Sequence, residues 1–184
     1  MLAREFSTAA LRHHLWLSTL VVATFAFTLV FACAAPFAAF GAAAALTLSR
    51  RDALLVTGAL WLVNQLTGFI VLGYPWTLNS VAWGPAIVIA AVLGTMSAQW
   101  AAQRLTGASD IVRAPAAFLL AFAVYEVAIY LVSAALLGGV EMFAPSIVGQ
   151  VFGTNVAALL GLYGLNRLGA SLGLRRRAQA TASV

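Results

Sequence analysis

Charged residues are scarce in this sequence. They make up 8% of its 184 residues, whereas a soluble domain carries about 25%. The mean hydropathy is +0.99 and 63% of the residues are hydrophobic. Such a chain has too few polar side chains to cover a water-facing surface. The composition therefore excludes a soluble domain and predicts an all-α membrane protein.

Lysine is absent, so all ten basic residues are arginines. Each group of arginines borders an apolar segment, which is typical of cytoplasmic loops. We therefore attribute the net charge of +5 to membrane topology and expect no nucleic-acid partner. The four groups are Arg4 and Arg12; Arg50 and Arg51; Arg104 and Arg113; and Arg167 with Arg175, Arg176 and Arg177.

Cysteine and histidine are also rare, which limits metal chemistry. The single cysteine, Cys33, excludes an intrachain disulfide and a thiolate cluster. His13 and His14 precede the first apolar segment, so paired histidine ligation of haem within the bundle is excluded. The sequence also has no Walker motif, no HExxH and no nucleophile elbow. We therefore expect neither an enzyme nor a bound cofactor.

An uncharged run from His14 to Leu48 permits two readings. As a single helix of roughly 34 residues it would be about 51 Å long, whereas the hydrocarbon core is about 30 Å thick. Pro36 can end or restart a helix, so the run is either one kinked crossing or a hairpin whose short second arm is Pro36–Leu48. The hairpin leaves every arginine on one face of the membrane, so the positive-inside rule favours it.

The hairpin and the segments after it predict six transmembrane helices in a domain of residues 1–168, with both termini in the cytoplasm. Residues 169–184 are expected to form a basic, disordered cytoplasmic tail that contacts anionic lipid. Pro115 is expected in the first turn of its helix. The later segments, each long enough to cross a membrane, are Ala53–Gly73, Val81–Gln103, Ala114–Leu137 and Pro145–Leu165.

Two adjacent amides, Asn64 and Gln65, lie near the middle of the helix that begins at Ala53. They either form hydrogen bonds between helices or contact a ligand. The helix is expected to break at Tyr74-Pro75 into an uncharged loop that also carries Trp76. Its aromatic residues either form an interfacial belt or cover a pocket.

Glu126 is the one ionisable side chain near the middle of a predicted helix. A charge at that depth is costly, so such a residue usually faces the bundle interior. It serves either a binding site or, hydrogen-bonded to a neighbouring helix, the structure. On the last helix Ser146, Gln150 and Thr154 form a polar stripe that, with Asn155, predicts a cavity.

Several motifs resemble the substrate-binding S components of energy-coupling factor (ECF) vitamin transporters. The architecture agrees along nearly the whole chain: short hairpin first, six helices, uncharged outer loops and cytoplasmic ends. The motifs Ala-Pro-Phe-Ala-Ala-Phe, Ser-Arg-Arg-Asp-Ala-Leu and Trp-Leu-Val-Asn-Gln followed by Gly-Tyr-Pro-Trp look like those of proteobacterial members linked with cobalamin uptake. They lie within residues 35–84.

The resemblance implies uptake of a vitamin-type small molecule, with cobalamin as the first candidate, through the bacterial inner membrane. It also implies that the ligand binds in the outer half of the bundle, and that Cys33 is a possible ligand of the bound cobalt. The residues expected to bind the substrate are Asn64, Gln65, Tyr74, Trp76, Asn79, Glu126, Tyr130, Ser146 and Gln150.

The expected partners are the small-molecule substrate, membrane lipid and an ECF energising module, which is a transmembrane coupling subunit with ATPases. Members that couple to this module often carry an Ala-x-x-x-Ala face low on the first helix. Here the first helix has Ser18, Thr19 and Ala23 instead, and the alanine faces belong to the second, so a solitary transporter is the other reading. The alternative function is a membrane scaffold or assembly subunit.

Overall fold

The computed structural model describes residues 35–171, together with Ser18 and Val22, and this part of the chain is helical without β-strands. The predicted first helix, with Cys33, and the tail after residue 171 lie outside the described residues. The α-helices are α1 (Phe37–Thr47), α2 (Arg50–Leu66), α3 (Leu78–Arg104), α4 (Asp110–Val132) and α5 (Pro145–Ser171). A π-helical turn extends α2 over Thr67–Val71, another extends α4 over Ser133–Leu137, and a 3-10 helix covers Val140–Phe143.

The four longer helices are apolar and long enough to cross a membrane, over Arg50–Val71, Leu78–Arg104, Asp110–Leu137 and Pro145–Leu165. Large apolar side chains cover their outer faces. Those that are more than half exposed include Leu119, Val127, Leu131 and Leu160. A surface of this kind requires lipid rather than water. The prediction of an all-α membrane protein is confirmed to this extent.

Helix α1 corresponds to the predicted second arm of the hairpin, and it begins directly after Pro36 as expected. Its 11 residues extend about 16 Å, roughly half of a 30 Å hydrocarbon core. A straight helix of this length does not cross the membrane. The six crossings and the cytoplasmic ends therefore remain predictions.

Alanine and glycine allow α1 to lie deep among the other helices. Ala39 and Ala42 are 0% exposed, and Ala38 is 3% exposed. At Gly41, an added Cβ would lie 2.8 Å from Thr95 Oγ1 and 3.4 Å from the Thr95 Cα. Small residues at such positions let helix backbones approach closely.

A buried asparagine on α5 completes the start of α1. Pro36, which precedes α1, contributes no side-chain cap, so backbone N–H groups in the first turn need acceptors. The Ala39 N–H donates to Oδ1 of Asn155 at 3.1 Å, and Asn155 Nδ2 donates to the Val151 carbonyl at 3.0 Å. This side chain is 3% exposed and therefore joins α5 to α1 inside the bundle.

Helices α2 and α3 each begin after a residue whose hydroxyl caps the first turn, Ser49 and Thr77 respectively. Ser49 Oγ accepts from the Asp52 N–H at 3.2 Å and donates to the Asp52 carboxylate at 2.8 Å. Both bonds involve Ser49 Oγ, and the one from the Asp52 N–H pairs a backbone donor in the first turn of α2. The prediction for Pro115 was wrong: α4 begins at Asp110, four residues before the predicted Ala114, so this proline lies in the second turn.

The ends of α1 and α3 and the beginnings of α2 and α4 meet at one end of the bundle. Leu48, Arg50, Gln103 and Arg113 line the same cavity there. We call this the arginine end. Arg104, the last residue of α3, also belongs to this end. The positive-inside rule predicts that this end faces the cytoplasm.

Candidate functional site

The predicted binding residues lie at or beyond the start of α1, away from the arginine end. Leu60, which is 1% exposed, and Phe37 belong to the same buried cluster. Asn64 follows Leu60 by one helical turn and lies on the same face of α2. On α5, Gln150 precedes Asn155 by five residues, about 7.5 Å along the helix. Helix α1 therefore occupies the half of the bundle nearest the arginines, and the predicted site falls in the other half.

The two amides of α2 are both half-buried. An added Cβ on Gly84 would lie 3.6 Å from Oε1 of Gln65, so this side chain packs against α3. One turn earlier, Trp61 Nε1 donates to the Gly84 carbonyl at 2.8 Å. The sequence analysis missed this contact. Its sequence signal is a tryptophan one turn before an amide, and that signal is weak.

The uncharged loop after α2 folds back onto the helix that it leaves. The Tyr74 N–H donates to the Gly68 carbonyl at 3.0 Å, and an added Cβ at Gly68 would lie 2.6 Å from the Tyr74 ring. The Phe69 ring lies 4.4 Å from Trp76 and 6.2 Å from Tyr74, between ring centroids. The structure thus brings two predicted residues together on one aromatic cluster, of which Trp76 is 77% exposed.

Asn79 connects the ends of two helices on the side away from the arginine end. Its Nδ2 donates to the Leu137 carbonyl at 3.0 Å, where the π-helical turn after α4 ends. Ser133 Oγ, 2% exposed, donates to the Gly138 carbonyl at 2.7 Å. Gly138 has a positive φ of 75°, which glycine adopts without strain. In this structure Asn79 therefore stabilises the junction of α3 and α4.

Glu126 is half-buried on α4. Residues four apart share a helix face, so it lies between Phe122 and Tyr130. The Phe122 ring is 5.1 Å from Phe152 of α5, and the Tyr130 ring is 5.2 Å from Phe143. Glu126 therefore lies on the side of α4 that is turned towards α5, among aromatic residues. Its hydrogen-bonding role stays a prediction.

Ser146 and Gln150 are exposed within the described part of the chain. Thr154 Oγ1 donates within its own helix, to the Gln150 carbonyl at 3.0 Å. The neighbouring stripe of small residues is open too: apart from the adjacent backbone of α5 itself, no atom of the described residues lies within 4 Å of a Cβ added to Gly149 or Gly153. Asn155, which the sequence placed in the polar stripe, instead contacts α1.

Further polar side chains are buried nearer the arginine end. The hydroxyls of Thr57 and Thr95 are 2.9 Å apart, and each lies 2.9 Å from a carbonyl of its own helix, that of Ala53 and of Ala91 respectively. Gln99, one turn after Thr95, is 7% exposed. A glutamine within an alanine-rich span was the available sequence signal for this position, and the sequence analysis did not use it.

The residues described here hold no group of three or more His, Cys, Asp or Glu side chains close enough to bind a metal ion. Cys33, the predicted cobalt ligand, lies outside the described residues. A metal role for it therefore stays a prediction.

Searches against protein-family models, curated proteins and solved structures find no match to this chain. The class that the fold defines is a helical membrane protein.

Proposed function

We propose that this chain is a small integral membrane subunit that binds a vitamin-type molecule for uptake, with cobalamin as the first candidate. The bacterial inner membrane is its proposed location. The expected site consists of amide, aromatic and acidic side chains in the outer half of the bundle. Sites for small molecules commonly combine apolar walls with a few polar groups that orient the ligand.

The half-length helix α1 is the observation that carries this proposal. It is packed into the arginine half of the bundle, and its first turn is completed there by Asn155. The residues predicted to bind ligand lie beyond that turn, on α2, α3, α4, α5 and the loop after α2. Helix α1 begins midway through the bundle and ends at the arginine end, so it does not fill the outer half. An outward-facing binding site requires that half for the ligand and the side chains that contact it.

The aromatic cluster gives the site a testable wall. Trp76 is 77% exposed, although its ring lies 4.4 Å from Phe69. A tryptophan that only anchors the protein in the headgroup region keeps its exposure when ligand is added. A tryptophan in the wall of a binding site loses exposure when ligand binds. Binding should therefore protect Trp76 from solvent and from oxidation.

The first experiment identifies the ligand. The full chain is purified from cells grown in rich medium, and co-purifying small molecules are identified by mass spectrometry. Cobalamin binding to the purified protein is then measured by calorimetry and by its visible spectrum. Recovery of a different vitamin would keep the transport proposal and change the substrate, whereas absence of any ligand and of cobalamin binding would contradict it.

Trp76→Ala and Trp100→Ala form a matched pair for this assay. Both residues are exposed aromatics, but Trp100 lies one turn from the arginine end, where Arg104 is 5.3 Å from its ring. Loss of an aromatic contact worth about 1.5 kcal/mol lowers affinity roughly tenfold. We expect that loss for Trp76→Ala and an unchanged affinity for Trp100→Ala. Equal effects would remove Trp76 from the site.

Coupling to an ECF energising module is proposed with one restriction. Three residues of the alanine faces on the second predicted helix, Ala38, Ala39 and Ala42, are buried among the other helices. They are therefore occupied by contacts within the chain, and a coupling subunit would need a different surface. Co-purification with an ATPase would support coupling, and ligand uptake by the chain alone would favour a solitary transporter.

Dense packing favours the second candidate function, a membrane scaffold or assembly subunit. Phe118, Phe122 and Phe152 pack with ring centroids 5.1–6.2 Å apart, and alanines fill the core around them. A scaffold needs a rigid bundle and no ligand. Failure to bind any vitamin, together with recovery of a stable protein partner, would favour this function over uptake.

Cys33→Ser tests the proposed cobalt ligand separately. If the thiolate binds cobalt, the serine variant should change the visible spectrum of bound cobalamin and weaken its binding. An unchanged spectrum with unchanged affinity would make Cys33 a packing residue while leaving the cobalamin proposal intact.

A further inference from the structure

A polar cavity lies at the arginine end of the bundle, far from the proposed vitamin site. Its volume is about 180 Å³, whereas a single water molecule needs roughly 10–15 Å³ on the same measure. Its lining combines apolar residues from α1 with Arg50, Gln99, Gln103, Thr106 and Arg113.

The charge in this cavity is positive. Both charged lining residues are arginines, one from the start of α2 and one from the start of α4. Arg113 Nη2 pairs with Asp110 at 3.1 Å, but this aspartate is 74% exposed and lies outside the lining. Asp52 is hydrogen-bonded to Ser49, the residue that precedes α2. The two guanidinium groups therefore share a cavity without an acidic lining residue.

Two residues of the lining each carry a buried polar atom that has no partner among the described residues. Arg113 Nε is a donor, and Gln99 Oε1 is an acceptor. An unpartnered buried polar atom costs about 1–3 kcal/mol, so atoms of this kind are normally paired. The missing group must accept a hydrogen bond from Arg113 and donate one to Gln99.

We propose that this cavity binds a phosphate group that carries or lies beside a hydroxyl. The phosphate oxygens would accept from Arg113 Nε and attract Arg50, since a guanidinium group matches phosphate geometry. The hydroxyl would donate to Gln99 Oε1. Hydrogen phosphate has both functions, and so does the headgroup of phosphatidylglycerol. The proposal is independent of the transported ligand.

The test uses the full chain in a neutral detergent and measures its thermal unfolding. Sodium phosphate is titrated against sodium chloride at constant ionic strength, and phosphatidylglycerol is titrated against phosphatidylcholine in mixed micelles. Saturable stabilisation by both probes identifies a site open to soluble phosphate. Stabilisation by phosphatidylglycerol alone identifies a lipid site. Stabilisation by neither probe overturns the proposal.

Single arginine variants locate the site. Arg50→Gln and Arg113→Gln each remove a lining guanidinium, whereas Arg51→Gln removes the same charge from an exposed neighbour outside the lining. Loss of one charge-assisted hydrogen bond lowers affinity about ten- to a hundredfold. We expect this loss in both lining variants and wild-type affinity in Arg51→Gln. An equal loss in all three variants would show only screening of surface charge and would overturn the proposal.

Sulfate tests the part played by Gln99. It matches hydrogen phosphate in charge but has no hydroxyl, so it leaves Gln99 Oε1 unpaired. We expect weaker stabilisation by sulfate than by phosphate. Arg50 is exposed, so we expect Arg50→Lys to fold and, because it keeps the charge, to retain part of the phosphate affinity. Equal affinity for sulfate and phosphate would remove Gln99 from the site.

Discussion

Asn155 shows how a single residue stabilises a helix from outside that helix. Its Oδ1 accepts the Ala39 N–H, and its side chain is almost fully buried. Replacing Asn155 with leucine leaves that N–H without an acceptor in an apolar interior. We expect a loss of about 1–3 kcal/mol in the free energy of unfolding, measured by thermal or denaturant unfolding in detergent.

Thr154→Val is the matched control for this prediction. Thr154 is adjacent on α5, and its hydroxyl donates to the carbonyl of Gln150 in the same helix. Valine conserves its shape and removes only that local bond, so the unfolding midpoint should change little. Similar losses in the two variants would mean that the contact with α1 contributes no more than a local bond.

Glu126 carries a second prediction at the scale of the residue. If it binds the vitamin through a charge-assisted hydrogen bond, Glu126→Gln and Glu126→Leu should both fold and should both lose about ten- to a hundredfold in affinity. If its role is structural, the glutamine variant should be nearly silent and the leucine variant should unfold at a lower temperature. Calorimetry with cobalamin, alongside thermal unfolding, separates the two roles.

Glu141 provides a control acid for this experiment. It is exposed in the short 3-10 helix before α5, so Glu141→Gln removes the same charge outside the predicted site. Its affinity and stability should match the wild type. A well-folded Glu126→Leu protein with wild-type affinity would exclude Glu126 from the site.

At the scale of the element, the packing of α1 depends on Gly41. An added Cβ would lie 2.8 Å from Thr95 Oγ1 and 3.4 Å from backbone, so α1 and α3 would have to separate. Overpacking of this kind typically costs about 1–3 kcal/mol. We therefore expect Gly41→Ala to lower the unfolding temperature, and disruption of the Thr57–Thr95 contact to accompany the loss.

Gly58→Ala distinguishes this clash from a general effect of removing glycine. Apart from the adjacent backbone of α2 itself, no atom of the described residues lies within 4 Å of a Cβ added at Gly58. Alanine also favours a helix over glycine by about 1 kcal/mol. This variant should be as stable as the wild type or more so. If Gly41→Ala were equally harmless, the close approach of α1 and α3 would not be tight in solution.

At the scale of the whole molecule, the arginine end makes a prediction about topology. Reporter fusions after Arg51 and Arg113 should report the cytoplasm, and fusions near Asn79 and Gly139 should report the outside. The reason is that short loops rich in arginine stay in the cytoplasm during membrane insertion. A fusion after Arg177 should also report the cytoplasm.

The fusion after Arg51 distinguishes the two readings of the first apolar run. An outside signal there would rule out the hairpin and, with it, the six-helix prediction. A cytoplasmic signal would show that the chain returns before α2, although α1 alone is too short to cross the membrane. The return would then require residues before Ala35.

The sequence by itself determined the class of this protein and the course of its longer helices. Its low charge excludes a water-facing surface. The predicted apolar runs match the four longer described helices to within six residues at each end. They match because the length of an apolar run and the residues that end a helix are local properties of the sequence. The start after Pro36 and the break at Tyr74-Pro75 are local for the same reason.

Only the tertiary structure decided what the short helix does and which polar groups meet. The Asn155–Ala39 hydrogen bond joins positions 116 residues apart. The cavity at Gln99 forms where the junction of α1 with α2 meets the junction of α3 with α4, and no local sequence pattern predicts that meeting. The π-helical turns also lacked a sequence signal. These features depend on how helices pack against one another, and packing is fixed by the shapes and separations of groups that are distant along the chain.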